Sequence, residues 1–142
     1  MNSTPVLSAA FAWPVRVYWE DTDAGGIVFY ANYLKFFERA RTEWLRGRGV
    51  EQRRLREENG GIFVVSEAQL RYHRSARLDD ELIVTAQPIE IGRASMTIQQ
   101  QALLKNGTDT TLLCEATVRV GWINAVSHQP ARIPSTLLDA LR

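Results

Sequence analysis

The chain has 142 residues, is 45% hydrophobic and carries a formal net charge of +1. Those values exclude a disordered polymer and a bulk nucleic-acid binder, and the length suits one domain that buries ~68–70% of its unfolded surface. A single cysteine, Cys114, excludes an intrachain disulfide and a four-cysteine zinc site, and fits a reducing compartment.

In chain order, residues 1–12 read as a loose N-terminal segment of a single domain over 1–142. The stretch "VLSAAFAWPV" is short, and no Lys or Arg precedes it, so it does not read as a signal peptide. No stretch is long enough to span a bilayer, and the expectation is a soluble, cytoplasmic protein. "VRVYWE", residues 15–20, reads as a strand. It runs into "EDTDAGGIVFYANY", where three carboxylates and two glycines precede an apolar, aromatic stretch. Like charges repel and glycines cost backbone entropy, so this stretch asks for a reason.

Residues 31–48 carry a helical pattern. Tyr33, Phe37, Ala40 and Trp44 recur at spacings of three and four, with Leu34, Arg41 and Leu45 alongside. That broad aromatic face predicts burial, and Gly47 and Gly49 supply stop signals. "EQRRLREENGG", residues 51–61, predicts a short polar helix and a loop. Strands are expected over 62–72, 81–91 and 95–104, with Pro88 marking an edge or a bulge. Asn106-Gly107 in "KNGT" signals a hairpin. On the return strand Leu112, Cys114, Ala116, Val118, Val120 and Trp122 fall on one face. The order is strand, long helix, then four strands with short connections. This is an α+β chain, with one helix set against an antiparallel sheet.

The acidic stretch admits several readings. Counted from Asp21 it imitates a calcium loop, with Asp23 third and Gly26 sixth, but the twelfth residue is Asn32 rather than Glu and no helix precedes it. Asp21 and Asp23 are also suited to capping a helix start. The functional alternative is a carboxylate aimed at a substrate held at the helix N-terminus, where backbone N–H groups receive developing negative charge. A carboxylate facing such a site is the minimum machinery for acyl transfer. No dinucleotide, P-loop, zinc-protease or esterase signature occurs. His73 ends a predicted strand and His128 sits in "SHQP"; neither accompanies a nucleophile motif. Cys114 reads as packing. The arginines at 46, 48, 53, 54 and 56 read mainly as a solvated face, with phosphate binding as the alternative; Arg71, Arg74, Arg77 and Arg93 raise the same question.

Taken together, "VRVYWEDTDAGGIVFYANYLKFFERARTEWL" and the downstream "ARLDDEL" closely resemble the hotdog-fold acyl-CoA thioesterases of the 4-hydroxybenzoyl-CoA thioesterase family, nearest the Tol-Pal-associated YbgC type. The resemblance runs from about Trp13 to Pro134. It implies a hotdog fold, in which an antiparallel sheet wraps one long central helix. It implies hydrolysis of an acyl-CoA, with Asp23 as nucleophile or general base and the backbone N–H of Tyr30 as oxyanion donor. His is common at the Tyr30 position in the YbgC type, whereas Tyr agrees with the 4-hydroxybenzoyl-CoA branch. The resemblance assigns substrate contacts to Gly26, Ile27, Phe63, Val64 and Arg93. Arg93 is the one basic residue in "EIGRAS", where relatives grip CoA phosphates. No metal and no cofactor beyond the substrate's CoA are implied. Implied partners are further copies of the chain, as dimer or tetramer, and envelope or lipid-synthesis proteins; no nucleic acid is implied. Two other readings stand beside this one, a non-catalytic Tol-Pal partner and a hotdog hydratase or dehydratase. The lack of any His between Trp13 and Glu57 weighs against the latter. Phe29, Tyr33 and Phe63 are aromatic residues suited to lining an acyl pocket, whether benzoyl or aliphatic.

Overall fold

The computed structural model describes residues 10–142. Most of the expected loose segment lies outside the described residues, but its end does not. Strand β1 spans Phe11–Arg16, and Phe11 and Ala12 already pair with Ala86 and Thr85. The strand expected over 15–20 therefore starts and stops earlier. It ends because the Asp21 carboxylate accepts the Tyr18 N–H (2.9 Å) and folds Trp19–Asp21 into a 3₁₀ turn.

A second 3₁₀ turn, Tyr30–Asn32, leads directly into helix α1, Tyr33–Gly47. The helix buries Tyr33, Phe36, Phe37, Ala40, Trp44 and Leu45. Phe36 joins this face and Leu34 leaves it, at 44% exposed. Helix α2, Gln52–Asn59, has no fully buried residue, though Leu55 packs against the core, and its Arg53–Glu57 and Arg54–Glu58 pairs are exposed. Such pairs contribute little stability, and they confirm a solvated basic face there.

Four strands follow: β2 (Gly61–Tyr72), β3 (Glu81–Ile91), β4 (Ser95–Asn106) and β5 (Asp109–Asn124). With β1 they form one antiparallel sheet in the order β1-β3-β4-β5-β2. This helix-on-sheet arrangement is the expected hotdog architecture. Pro88 lies at a register shift of β3 against β4, just past the residues that pair with β1, so it marks a bulge. A second shift sits between Ala102 and Leu103, opposite Cys114 and Leu112. It explains why Leu113, not Leu112, is buried beside Cys114. A short C-terminal helix α3, Ser135–Leu141, buries Leu137 and Leu141 and had no counterpart in the sequence reading.

Gln100 on β4 fastens the helix to the sheet. It is fully buried, and its Nε2 donates to the Phe37 carbonyl (3.0 Å) and the Thr85 carbonyl (3.1 Å). A buried amide with its donors satisfied fixes one packing arrangement.

Candidate active site

The loop between β1 and α1 is built on two carboxylates with different surroundings. Asp21 is buried. Its Oδ2 takes the Tyr18 N–H, and its Oδ1 takes the Asn32 side-chain amide at 2.9 Å. Its backbone carbonyl accepts the Phe29 N–H. Asp21 thus ties the loop's beginning to its end. It does not cap the start of α1.

Asp23 is exposed, and one oxygen, Oδ1, accepts the Gly25 N–H at 2.8 Å. A tight turn shapes this arrangement: the Gly26 N–H donates to the Asp23 carbonyl, and the Asp23 N–H to the Ile27 carbonyl. The two glycines serve different ends. Gly26 has φ +79°, a left-handed value that side chains rarely adopt. At Gly25 a Cβ would stand 3.2 Å from Asp23 Oδ1. Ile27 pairs with Arg77, and the Val28 N–H donates to the Ala76 carbonyl, which pins the loop to the segment after β2.

Tyr30 opens the helical segment. Its N–H stands at the first helical position, where no intrahelical acceptor exists. Its side chain is 64% exposed. The Tyr72 hydroxyl, at the end of β2, donates to the Tyr30 carbonyl at 2.9 Å, and the two rings meet edge to face. Tyr33 faces the core instead of a pocket, and its hydroxyl accepts the Ala76 N–H. Burial raises the pKa of both Tyr33 and Tyr72, and the Tyr72 phenol stays protonated, as its donation to the Tyr30 carbonyl requires.

The expected site residues fall into two groups. Asp23, Gly26, Ile27 and Tyr30 cluster in the loop, next to the Tyr72 end of β2. Phe63 and Val64 lie at the other end of that strand. Arg93 sits with them, because Ser95 pairs with Gly121, which pairs with Val64. Nine residues of extended chain from Phe63 to Tyr72 span about 30 Å. One chain does not bring the two groups together. Phe63 packs edge to face on Trp122 and lines a cavity of about 150 Å³ between α1 and the sheet.

A family model described as "Thioesterase-like superfamily" matches residues 17–141. The chain is 43% identical over 135 residues to the "Acyl-CoA thioesterase YbgC" of Haemophilus influenzae, covering 95% of this chain and 96% of the relative. The chain belongs to the thioesterase-like superfamily. Solved structures agree with that placement. One described as "Probable Thioesterase from Bartonella henselae" superposes with a TM-score of 0.81 at 32% identity, covering 89% of this chain and all of that one. A 4-hydroxybenzoyl-CoA thioesterase crystallised with 4-hydroxybenzoyl-CoA shares the fold, with a TM-score of 0.87 at 18% identity over 95% of this chain and 100% of that one.

Other groups in this thioesterase are engaged elsewhere. His73 Nε2 lies 2.7 Å from Glu115 Oε2, and the exposed His128 turns a loop with φ +62°. Burial pushes the Cys114 thiol up to about 12, which agrees with packing rather than reactivity. Among the described residues no helix is long and apolar enough to cross a membrane. The sequence reading missed Asn32 and Tyr72. Their type and spacing look ordinary, and only the fold sets them against Asp21 and Tyr30.

Proposed function

We propose that this chain hydrolyses acyl-CoA thioesters with Asp23 and the Tyr30 N–H as its reacting groups. The observation that carries the assignment is the contrast between the two carboxylates. Asp21 has both oxygens committed inside the loop, whereas Asp23 is exposed and held through one oxygen. Its turn lies next to a helix start whose first N–H groups are available to an oxyanion.

In this scheme the thioester carbonyl oxygen sits on the Tyr30 N–H. Asp23 either adds to the carbonyl carbon, giving an anhydride that water opens, or removes a proton from the water that adds. On both routes the C–S bond breaks and its electron pair leaves on the CoA sulfur. The net change is one water consumed, with one acid and one CoA thiol released. One oxyanion donor contributes ~2.7–4 kcal/mol in comparable sites. The scheme calls on no metal and on no cofactor beyond the substrate's own CoA.

The second half of the site comes, in this reading, from another copy of the chain. β2 is an outer strand of the sheet, and its residues 65–69 are exposed. An unpaired edge of this length invites another strand. A two-fold axis through the middle of β2 sets the Tyr72 end of one copy against the Gly61 end of the other. Phe63, Val64 and Arg93 of one copy then approach Asp23, Gly26, Ile27 and Tyr30 of the other. Arg93 is the residue we assign to the CoA phosphates. In this reading two such dimers pair into a tetramer. The unpaired Cys114 supports a cytoplasmic setting.

A turnover panel of acyl-CoAs from short to long chain, plus 4-hydroxybenzoyl-CoA, tests the activity. No hydrolysis of any member would refute it. Single-turnover hydrolysis in heavy-oxygen water tests for the anhydride: label on Asp23 and none in the released acid identifies an anhydride opened by water at the aspartyl carbon, an outcome that the general-base route does not give.

A further inference from the structure

We propose that the cavity beside Phe63 seats the far end of the acyl group, and that Arg41 selects an acyl chain ending in a carboxylate, the mono-CoA thioester of a short dicarboxylic acid. This inference rests on the thioesterase reading and names the substrate class of that same site.

The cavity is mostly apolar, with Phe63, Met96, Ile98 and Val120 among its walls. Arg41 enters it from α1. Gln100 spends both amide hydrogens on the Phe37 and Thr85 carbonyls, so its Oε1 is an acceptor, and Arg41 Nη1 donates to it at 2.9 Å. That bond pins one edge of the guanidinium. A guanidinium carries five N–H donors. Among the described residues the Arg41 side chain makes this one hydrogen bond and no ion pair. Glu38 lines the same cavity and its charge favours the Arg41 cation, but it forms no ion pair with it, and its Oε2 accepts the Thr42 hydroxyl, which in turn accepts from Gln52.

A half-buried cation in an apolar cavity, with most of its donors unused, is costly to leave unpaired. Burial lowers the Arg41 pKa, which reports the same cost. A carboxylate meets the fork with charge-assisted bonds, whereas an alkyl end leaves it unpaired. The volume, about 150 Å³, matches the size of cavity that holds a benzene ring and limits the chain to a short one. The Phe63 end of β2 is also the end that the proposed two-fold brings to the second copy's Asp23 and Tyr30. The thioester and the cavity therefore meet in one site.

Glutaryl-CoA and pentanoyl-CoA, which differ at the chain end, provide the test. Wild-type protein should favour glutaryl-CoA in kcat/KM by about tenfold or more, the value of a hydrogen bond to a charged group. Arg41→Met should bring the ratio close to one. Arg41→Lys keeps the charge and a donor for Gln100 but loses the fork, so its ratio should fall between; it decides the matter if Arg41→Met does not fold. A wild-type ratio at or below one, or a ratio unchanged by Arg41→Met, overturns the proposal. Absence of turnover with both thioesters and with the whole acyl-CoA panel would instead refute the thioesterase reading. Calorimetric binding to the wild-type protein then decides alone: tighter binding of glutaryl-CoA by about tenfold upholds the inference, and equal binding overturns it.

Discussion

The Asn32 side chain donates to Asp21 Oδ1 at 2.9 Å, and both residues are buried. The bond joins the two ends of the loop that carries Asp23. Asp21→Ala leaves the Tyr18 N–H and the Asn32 amide without their acceptor, and a buried unpaired group costs about 1–3 kcal/mol. Denaturant melts of Asp21→Ala, Asn32→Ala and the double variant should therefore show coupling between the sites. Additive losses would mean that this bond does not stabilise the loop.

Asp23→Asn has a different expected signature. Asn keeps an oxygen for the Gly25 N–H, and the position is exposed, so the melting temperature should stay near wild type. The rate should fall by about 10²–10⁴-fold, as for loss of a general base. Asp21→Asn should lower kcat less and stability more. Turnover that survives Asp23→Asn and dies with Asp21→Asn would reverse the two roles.

Much of this fold was legible because its signals are local. The spacing of Tyr33, Phe37, Ala40 and Trp44 specifies a helix, and Asn106-Gly107 specifies a hairpin whatever surrounds them. What escaped depends on distant partners. Val15–Glu20 alternates like a strand, but the Asp21 carboxylate bends it after Arg16. The Leu112/Leu113 exchange follows from a bulge whose other half lies on β4. The candidate site was legible as a residue list and not as a place. Phe63 and Asp23 lie at opposite ends of β2, and no pattern within one chain states which strand an open edge will meet.

Subunit complementation tests the shared site. Asp23→Asn disables the loop half, and Val64→Asp puts a charge into the other half. Each variant alone should be inactive. Mixing and reannealing them yields heterodimers in which one of the two sites is intact, so activity should recover to about a quarter of wild type under statistical exchange. Light scattering should confirm an oligomer at micromolar concentration. Exchange verified by mass spectrometry, with no recovered activity, would place both halves of each site in the same chain.

The thiol of Cys114 offers a probe of the packing between α1 and the sheet. It is fully buried, and burial holds its pKa at about 12. At pH 8 roughly one thiol in ten thousand is ionised. A thiol reagent followed by absorbance should label the native protein slowly and the denatured protein within minutes. Equal labelling rates in the two states would show that the core opens around β5.

The Tyr30 position separates a backbone role from a side-chain one. Tyr30→Phe and Tyr30→His both preserve the amide and should keep most activity. Tyr30→Pro removes the N–H at a first helical position, where proline is tolerated, and should lower kcat by about 10²–10³-fold in a folded protein. Tyr72→Phe tests how that amide is held in place. It removes the hydroxyl that donates to the Tyr30 carbonyl while keeping the edge-to-face ring contact. A bond of this kind is worth about 0.5–1.5 kcal/mol, so kcat should drop by roughly two- to tenfold with KM little changed. Circular dichroism should report all four variants folded. A Tyr30→Phe variant as inactive as Asp23→Asn would assign the chemistry to the phenol, and the backbone oxyanion site would have to be abandoned.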